Sequence, residues 1–384
     1  MYKIPLSSPS IEGNEWEYVK KCLDTEWISS AGQYVNVFEE KVADYTGSKY
    51  AVACVNGTSA IQVSLRMLGV SPGDEVIVPT LTFIAPINAV YYNHAKPVFM
   101  DCDKYYNINV EKTISFIQKE TFFKDGHTYN KLSKNKISAI IPVHVWGNAV
   151  WLDELFNICE ERNIAILEDA SESLGTYYTK GSNKGKHAGT IGRVGCVSFN
   201  GNKIISTGGG GMIITDDYNL ANKAKYLTTQ AKDDPVKYIH NEVGYNFRLG
   251  NIQAAIGVAQ LEKLPEFLKR KRETNKFYQR NLFKMDGIKI AETPDYANNN
   301  CWLNILQISD YKDISIESLM ERFTRNGIET RPVWKLNHLQ RPYIDCQSYE
   351  ISLASKLTRL SLCMPSSVSI KSDDLYYILD IMNS

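Results

Sequence analysis

In the first two-thirds of the chain, short apolar runs rich in β-branched residues recur at Tyr50–Val55, Glu75–Pro79, Pro97–Asp101, Ile137–His144, Ile164–Glu168, Val194–Phe199 and Met212–Thr215. Near-continuous runs of this length fit strands buried on both faces. Helical spacing falls between them, as over Ser59–Leu68. It recurs over Trp151–Arg162, where Leu152, Leu155, Phe156 and Cys159 share one face. This alternation predicts an α/β fold whose mainly parallel sheet carries helices on both sides.

From Ile252 the pattern changes to a single long helix reaching about Phe283. Ile252, Ala255, Ile256, Ala259 and Leu261 form its apolar stripe before the charged run Lys269–Arg272. A shorter α+β section follows and closes in a C-terminal helix, Asp373–Met382. Residues 1–261 therefore read as a large α/β domain. Residues 262–384 read as the linking helix and a small C-terminal α+β domain.

Composition narrows the classes. The 384 residues carry 43 Lys+Arg against 43 Asp+Glu. No overall field favours nucleic acid or an anionic membrane as partner. The start, Met1-Tyr2-Lys3-Ile4-Pro5, lacks the apolar stretch of a signal peptide, and no run is long enough to predict a membrane span. Eight cysteines, none in a C-x-x-C pair, fit single buried thiols in a reducing cytoplasm better than a zinc site or disulfides. The six histidines show no metal-ligand spacing, so no metal is expected.

Candidate chemistry begins at Ile164–Asp169, an apolar strand ending in two carboxylates. Ligands of α/β sheets sit beyond the carboxyl ends of strands. A carboxylate there is costly to desolvate unless a cation faces it, and a pyridinium nitrogen is such a cation. An Asp at a strand end is also an ordinary helix cap.

Lys203 follows the strand Val194–Phe199 in the glycine-rich stretch containing Gly201 and Gly208–Gly211. A lysine held there could act as a neutral amine on an aldehyde, although lysines are mostly surface residues. Val55–Ala60 leads from a strand into a helix, and Gly57, Thr58 and Ser59 offer N–H and hydroxyl donors to a phosphate. A plain N-cap reads the same way.

Other phosphate and catalytic motifs are absent. Lys180 and His187 break a Walker loop around Gly185-Lys186, and Gly189-Thr190-Ile191-Gly192 does not complete G-x-G-x-x-G. Neither H-E-x-x-H nor G-x-S-x-G occurs.

Taken together and in order, several segments are specific. Glu168-Asp169-Ala170-Ser171-Glu172-Ser173-Leu174-Gly175 and Ser198-Phe199-Asn200-Gly201-Asn202-Lys203 are joined by Thr82-Phe83-Ile84-Ala85 and His144-Val145-Trp146-Gly147-Asn148. Gly244–Leu249, Ile328–Trp334 and Cys363–Ser367 complete the set. This series resembles the DegT/DnrJ/StrS family of sugar aminotransferases over nearly the whole chain.

The resemblance implies fold type I, the aspartate aminotransferase-like architecture, and pyridoxal 5'-phosphate as cofactor. Lys203 then matches the Schiff-base lysine and Asp169 the partner of the pyridine nitrogen. Glu172 matches a contact near the ring's phenolic oxygen, and Phe83 the aromatic residue stacked on the ring. Gly57, Thr58, Ser59 and Ser198 match the phosphate pocket. Asn246 matches a phosphate contact given by a neighbouring subunit, which implies a homodimer with shared sites. Arg248, His338 and Trp334 match substrate-side positions.

The implied reaction moves an amino group from glutamate to a nucleotide-linked keto-deoxy sugar. Asn200–Thr207, with Thr228–Asp234 and Tyr238-Ile239-His240, resembles the branch acting on C4 of UDP-4-keto-6-deoxy-N-acetylhexosamines, which serves bacillosamine and legionaminic acid in bacterial surface glycans. GDP- or dTDP-linked keto sugars, and a regulatory relative without catalysis, are the alternatives. Gly208–Gly211 departs from the family's usual Gly-Glu-Gly-Gly, and the stretch from Glu172 to Ser198 is longer than in many relatives.

Overall fold

The computed structural model describes residues 3–234, 236–283, 285–309 and 315–383. All seven apolar runs form strands, Glu75–Pro79 at the expected bounds and the others with an end shifted by a residue or more: Tyr50–Cys54, Lys96–Met100, Lys136–Ile140, Ala165–Asp169, Val194–Ser198 and Gly211–Thr215. Across the sheet they lie in the order 50–54, 211–215, 194–198, 165–169, 136–140, 75–79, 96–100, and Ser348–Tyr349 is added at the outer edge. Pairing is parallel from Val194–Ser198 outward to Ser348–Tyr349. Gly211–Thr215 runs against both its neighbours, as does His127–Asn130, which pairs off this path with Thr121–Lys124 and Lys136–Ile140. The sheet is thus mainly parallel, as the patterning predicts.

Helices complete the crossovers that parallel strands need. Gly57–Met67 links the first two strands, Ala85–Tyr92 the next pair, and Asp153–Glu161 leads into Ala165–Asp169. Two sequence boundaries move for local reasons. The run Ile137–His144 stops as a strand at Ile140, because Pro142 has no N–H for a ladder. Beyond it Val143 makes only an isolated bridge to Asp169, and Trp146 turns the chain at φ 54°. The helix read from Ser59 starts at Gly57, because Asn56 caps it by accepting the Ser59 N–H at 2.8 Å.

The long helix runs Asn251–Leu282 and contains Pro265. Near its start, a Cβ on Gly257 would lie 2.6 Å from the Phe38 ring, so helix and ring close up only because this residue is glycine. Its far end, at Tyr278 and Leu282, packs with Ile290 and Leu306 of a second, antiparallel sheet and with Phe323 of the helix Ile316–Arg325. That sheet orders its strands Ile288–Ile290, Asn304–Ile308, Ser361–Met364, Arg331–Pro332. The C-terminal third is not confined there: Ile305, Val333, Ala354 and Leu357 join the core beneath the large sheet.

Seven of the eight cysteines are buried, and all eight are free thiols. Among the described residues no helix is long and apolar enough to cross a membrane.

Candidate active site

The large sheet delivers its chemistry at the carboxyl ends of its parallel strands. Asp169 is the last residue of one strand and Ser198 the last of its parallel neighbour. The helix opening at Gly57 points its first turn to the same place. Together these elements line a cavity of about 330 Å³, into which Asp169, Glu172 and Lys203 all face.

Asp169 is buried, and its Oδ1 accepts the Ser171 N–H at 3.0 Å. Burial pushes its carboxyl above the usual range, although the bonds from Ser171 and the charge of Lys203 pull the other way. Glu172 is raised for the same first reason, with Lys203 opposing. Its Oε1 lies 3.2 Å from Lys203 Nζ, and its Oε2 accepts the Trp146 N–H at 2.8 Å. The turn at Trp146 therefore fixes Glu172, and Glu172 fixes the lysine amine. On its other side that amine sits 3.9 Å from the ring centre of Trp302.

The neighbouring Glu168 points away and serves as a structural anchor. It accepts N–H bonds from Gly189 at 2.8 Å and from Ile191 and Gly192 at 2.6 Å each, and pairs with His144 Nε2 at 2.8 Å. The Val150 N–H donates to His144 Nδ1 at 3.0 Å, which assigns the ring proton to Nε2. Burial alone would raise Glu168, but these donors hold its carboxyl below the usual range. Of the two carboxylates that end this strand, one anchors the loop Gly189–Gly192 and one faces the cavity.

The structure brings Gly57, Thr58, Phe83, Asp169, Glu172, Ser198, Lys203 and Trp334 to the cavity lining. Phe83 is 53% exposed at its mouth, and its ring centre is 6.4 Å from that of Trp334. Ser59 lies one helical position deeper, outside the lining. His338 is elsewhere: its Nδ1 bonds the Thr80 hydroxyl at 2.6 Å. Beside it Asn337 donates to the carbonyls of Thr80 and Thr82, so this pair braces the loop that presents Phe83. Asn246 and Arg248 bond each other, the Arg248 Nε and Nη2 donating to Asn246 Oδ1 at 3.0 and 2.9 Å, and neither lines this chain's cavity.

Sequence reading singled out none of Asn56, Ser171 and Trp302. The first two lie inside recognised segments, next to residues that drew notice. Trp302 follows the polar run Asn298–Cys301, and no periodicity or motif marks it.

Matching is found along almost the full length: residues 9–383 fit the DegT/DnrJ/EryC1/StrS aminotransferase family. The chain belongs to that family. EpsN of Bacillus subtilis, by its name a pyridoxal phosphate-dependent aminotransferase, is 36% identical over 99% of this chain and 95% of its own. GDP-perosamine synthase of Escherichia coli O157:H7 is 36% identical over 100% of this chain and 98% of its own. The structure of DesI in the presence of its TDP-sugar product superposes with a TM-score of 0.86, at 26% identity, over 99% of this chain and 92% of that one.

This family member is a fold type I aminotransferase, and its cofactor is pyridoxal phosphate. The residues present fit that group. A buried acid without a bonded cation faces a cavity that also receives a primary amine, as a cationic ring nitrogen and an aldehyde require. The phosphate end has its cradle at Gly57, where a Cβ would lie 2.9 Å from Ser198 Cβ and 3.3 Å from Ser171 Oγ. First-turn N–H groups have no acceptor within their own helix and favour an anion.

Proposed function

We propose that this aminotransferase moves the amino group of glutamate to C4 of a nucleotide-linked 4-keto-6-deoxy sugar, releasing 2-oxoglutarate and an amino sugar. The observation that carries the reading is the convergence of Asp169 and Glu172, at one strand end, with Lys203, past the end of the neighbouring strand, on one cavity. Bound pyridoxal phosphate supplies an aldehyde that holds the travelling amino group and a ring that takes up an electron pair.

The chain's own residues would do the rest. Asp169 would hold a proton on the ring nitrogen facing it, which its costly burial otherwise leaves unexplained. Thr58, Ser59, Ser198 and the backbone N–H groups of Gly57 and Thr58 would bind phosphate, and Phe83 would cover one face of the ring. Lys203 would move a proton from the carbon bearing the donor's amine to the cofactor in one half of the reaction, and from the cofactor to the sugar carbon in the other. Glu172 would keep that amine in reach. Arg248, His338 and Trp334 would border the sugar, His338 through the loop it braces. Asn246 would reach the phosphate of a second copy of the chain, giving a dimer with shared sites.

Two nucleotides remain in play. The segments Asn200–Thr207 and Thr228–Asp234 support a UDP-linked N-acetylhexosamine, whereas relatives named GDP-perosamine synthase support a GDP-linked sugar. A cytoplasmic location suits the free thiols.

The test is a panel of UDP-, GDP- and dTDP-linked 4-keto and 3-keto sugars incubated with glutamate and the purified protein. An amino sugar is expected from one 4-keto member, at least tenfold faster than from the 3-keto isomers. The visible absorbance of bound cofactor is expected to shift in Lys203→Ala, with turnover down by a thousandfold or more. Turnover surviving in that variant, or amination confined to 3-keto sugars, would overturn the assignment.

A further inference from the structure

Lys203 is gripped by more than its carboxylate partner. Its Nζ stands 3.9 Å from the centre of the Trp302 ring, closer than any other cation–aromatic pair among the described residues. A cation over an indole face is attracted to the ring's electron-rich centre, most strongly where water is excluded. Trp302 is 3% exposed and Lys203 is largely buried, so this contact meets that condition.

Trp302 is itself held at three points, one on its ring and two on its backbone. Its Nε1 donates to the Asn202 carbonyl at 2.8 Å, tying the ring to the residue before the lysine. Its backbone N–H donates to Asn300 Oδ1 at 2.9 Å, and Asn300 Nδ2 donates to the carbonyls of Glu172 at 2.8 Å and Leu174 at 3.0 Å. Its carbonyl accepts from the buried Lys271 Nζ at 2.8 Å. Asn300 therefore joins the backbone at Trp302 to the backbone at Glu172, the two residues whose side chains touch the lysine amine. The Nε1 bond is the one that needs an indole, and it sets the ring's orientation beside the lysine.

We propose that Trp302 is a positioning residue for the amino-transfer reaction: its face and the Glu172 carboxylate form a berth that holds the Lys203 amine at one spot whenever that amine is free. The inference rests on Lys203 being the amine-bearing residue. In each half of the reaction the lysine must let go of its partner, carry a proton between two atoms and return. A long flexible side chain loses much of its rotamer freedom to do so. The berth restricts it in advance, and because it acts through the lysine, its loss is expected to fall on rate more than on substrate affinity.

The full-length Trp302→Phe and Trp302→Leu enzymes, loaded with cofactor, provide the test. The first keeps an aromatic face and the second removes it. In single-turnover reaction with glutamate, Trp302→Leu is expected to be slower by roughly tenfold, the scale of a desolvated cation–π contact, with the glutamate KM within about twofold. Trp302→Phe should recover most of the rate.

A second reading needs no turnover. In cofactor-free protein, a lysine-directed acylating reagent followed by peptide mass spectrometry should label Lys203 several-fold faster in Trp302→Leu, because the amine is no longer held against the ring. Should Trp302→Leu fail to fold, Trp302→Met replaces it, filling the volume without a π face. Equal rates and equal labelling in all variants, or a loss in Trp302→Phe as large as in Trp302→Leu, would sink the berth. Full activity in Lys203→Ala would instead sink the underlying assignment of the lysine.

Discussion

At the scale of single residues, Lys271 shows how burial shapes a titration. It lies within the charged run Lys269–Arg272, yet its side chain is fully buried, donating to the carbonyls of Trp302 and Ser366. Desolvation lowers its pKa from an ordinary 10.5 to about 7. The unfolded chain therefore binds a proton that the folded chain lacks between about pH 7 and 10.5, and over that window the contribution of Lys271 to stability rises with pH.

We expect the unfolding free energy of the parent minus that of Lys271→Met to rise by roughly 2 to 3 kcal/mol from pH 7 to pH 9, at 1.36 kcal/mol per unit. Urea titrations at the two pH values measure it, and a flat difference would show that the amine is solvated. Legibility at this scale is uneven. Asp169 and Lys203 stand at the ends of readable strands, and both reach the cavity. Lys271 and Trp302 are specified by what packs against them from distant parts of the chain, and local pattern carries no trace of that.

At the scale of elements, the apolar runs were readable because a parallel sheet buried on both faces leaves few polar positions in its strands. Elements of mixed face escaped. The hairpin Thr121–Lys124 and His127–Asn130 is too short for a firm period, and the helices Glu15–Asp24 and Gln33–Thr46 are half exposed. The strand-to-helix turn at Gly57 was legible as a phosphate candidate or a plain cap, and Asn56 does cap the helix.

What distinguishes a working cradle from a cap is the space that Gly57 leaves beside Ser198. In Gly57→Ala the added Cβ would press on Ser198 Cβ at 2.9 Å, and neither strand end nor helix start can yield cheaply. We expect a stability loss of about 1 to 3 kcal/mol and at least tenfold weaker cofactor retention in dialysis. Gly201→Ala is the matched control. Nothing lies within 4 Å of its Cβ position and its φ is not in the left-handed range, so it should stay within about 0.5 kcal/mol of the parent. Equal cofactor retention in the two variants would remove Gly57 from the phosphate pocket.

At the scale of the whole molecule, the sequence carried the fold class and the order of its segments, but a single chain leaves the roles of Asn246 and Arg248 unfilled. Both lie on the stretch leading into the long helix and away from their own chain's cavity. Asn251, at the start of that helix, accepts the Tyr34 N–H and donates to the Trp27 carbonyl. This ties in a segment that presents Trp27, 57% exposed, and Ile28, 52% exposed. Exposed aromatic and aliphatic side chains beside an unused Asn–Arg pair suit a surface that a second copy covers.

If Asn246 serves the partner's phosphate, Asn246→Ala and Lys203→Ala should each be nearly inactive alone and should complement when co-expressed. In a hybrid dimer one site receives both substitutions and the other receives neither. Random pairing makes half the dimers hybrid, so recovered activity should approach about one quarter of the parental value. An Asn246 acting within its own chain, or acting only in folding, predicts no recovery at any ratio of the two subunits. Activity measured across a series of mixing ratios decides between these cases, since sharing requires a maximum at equal proportions.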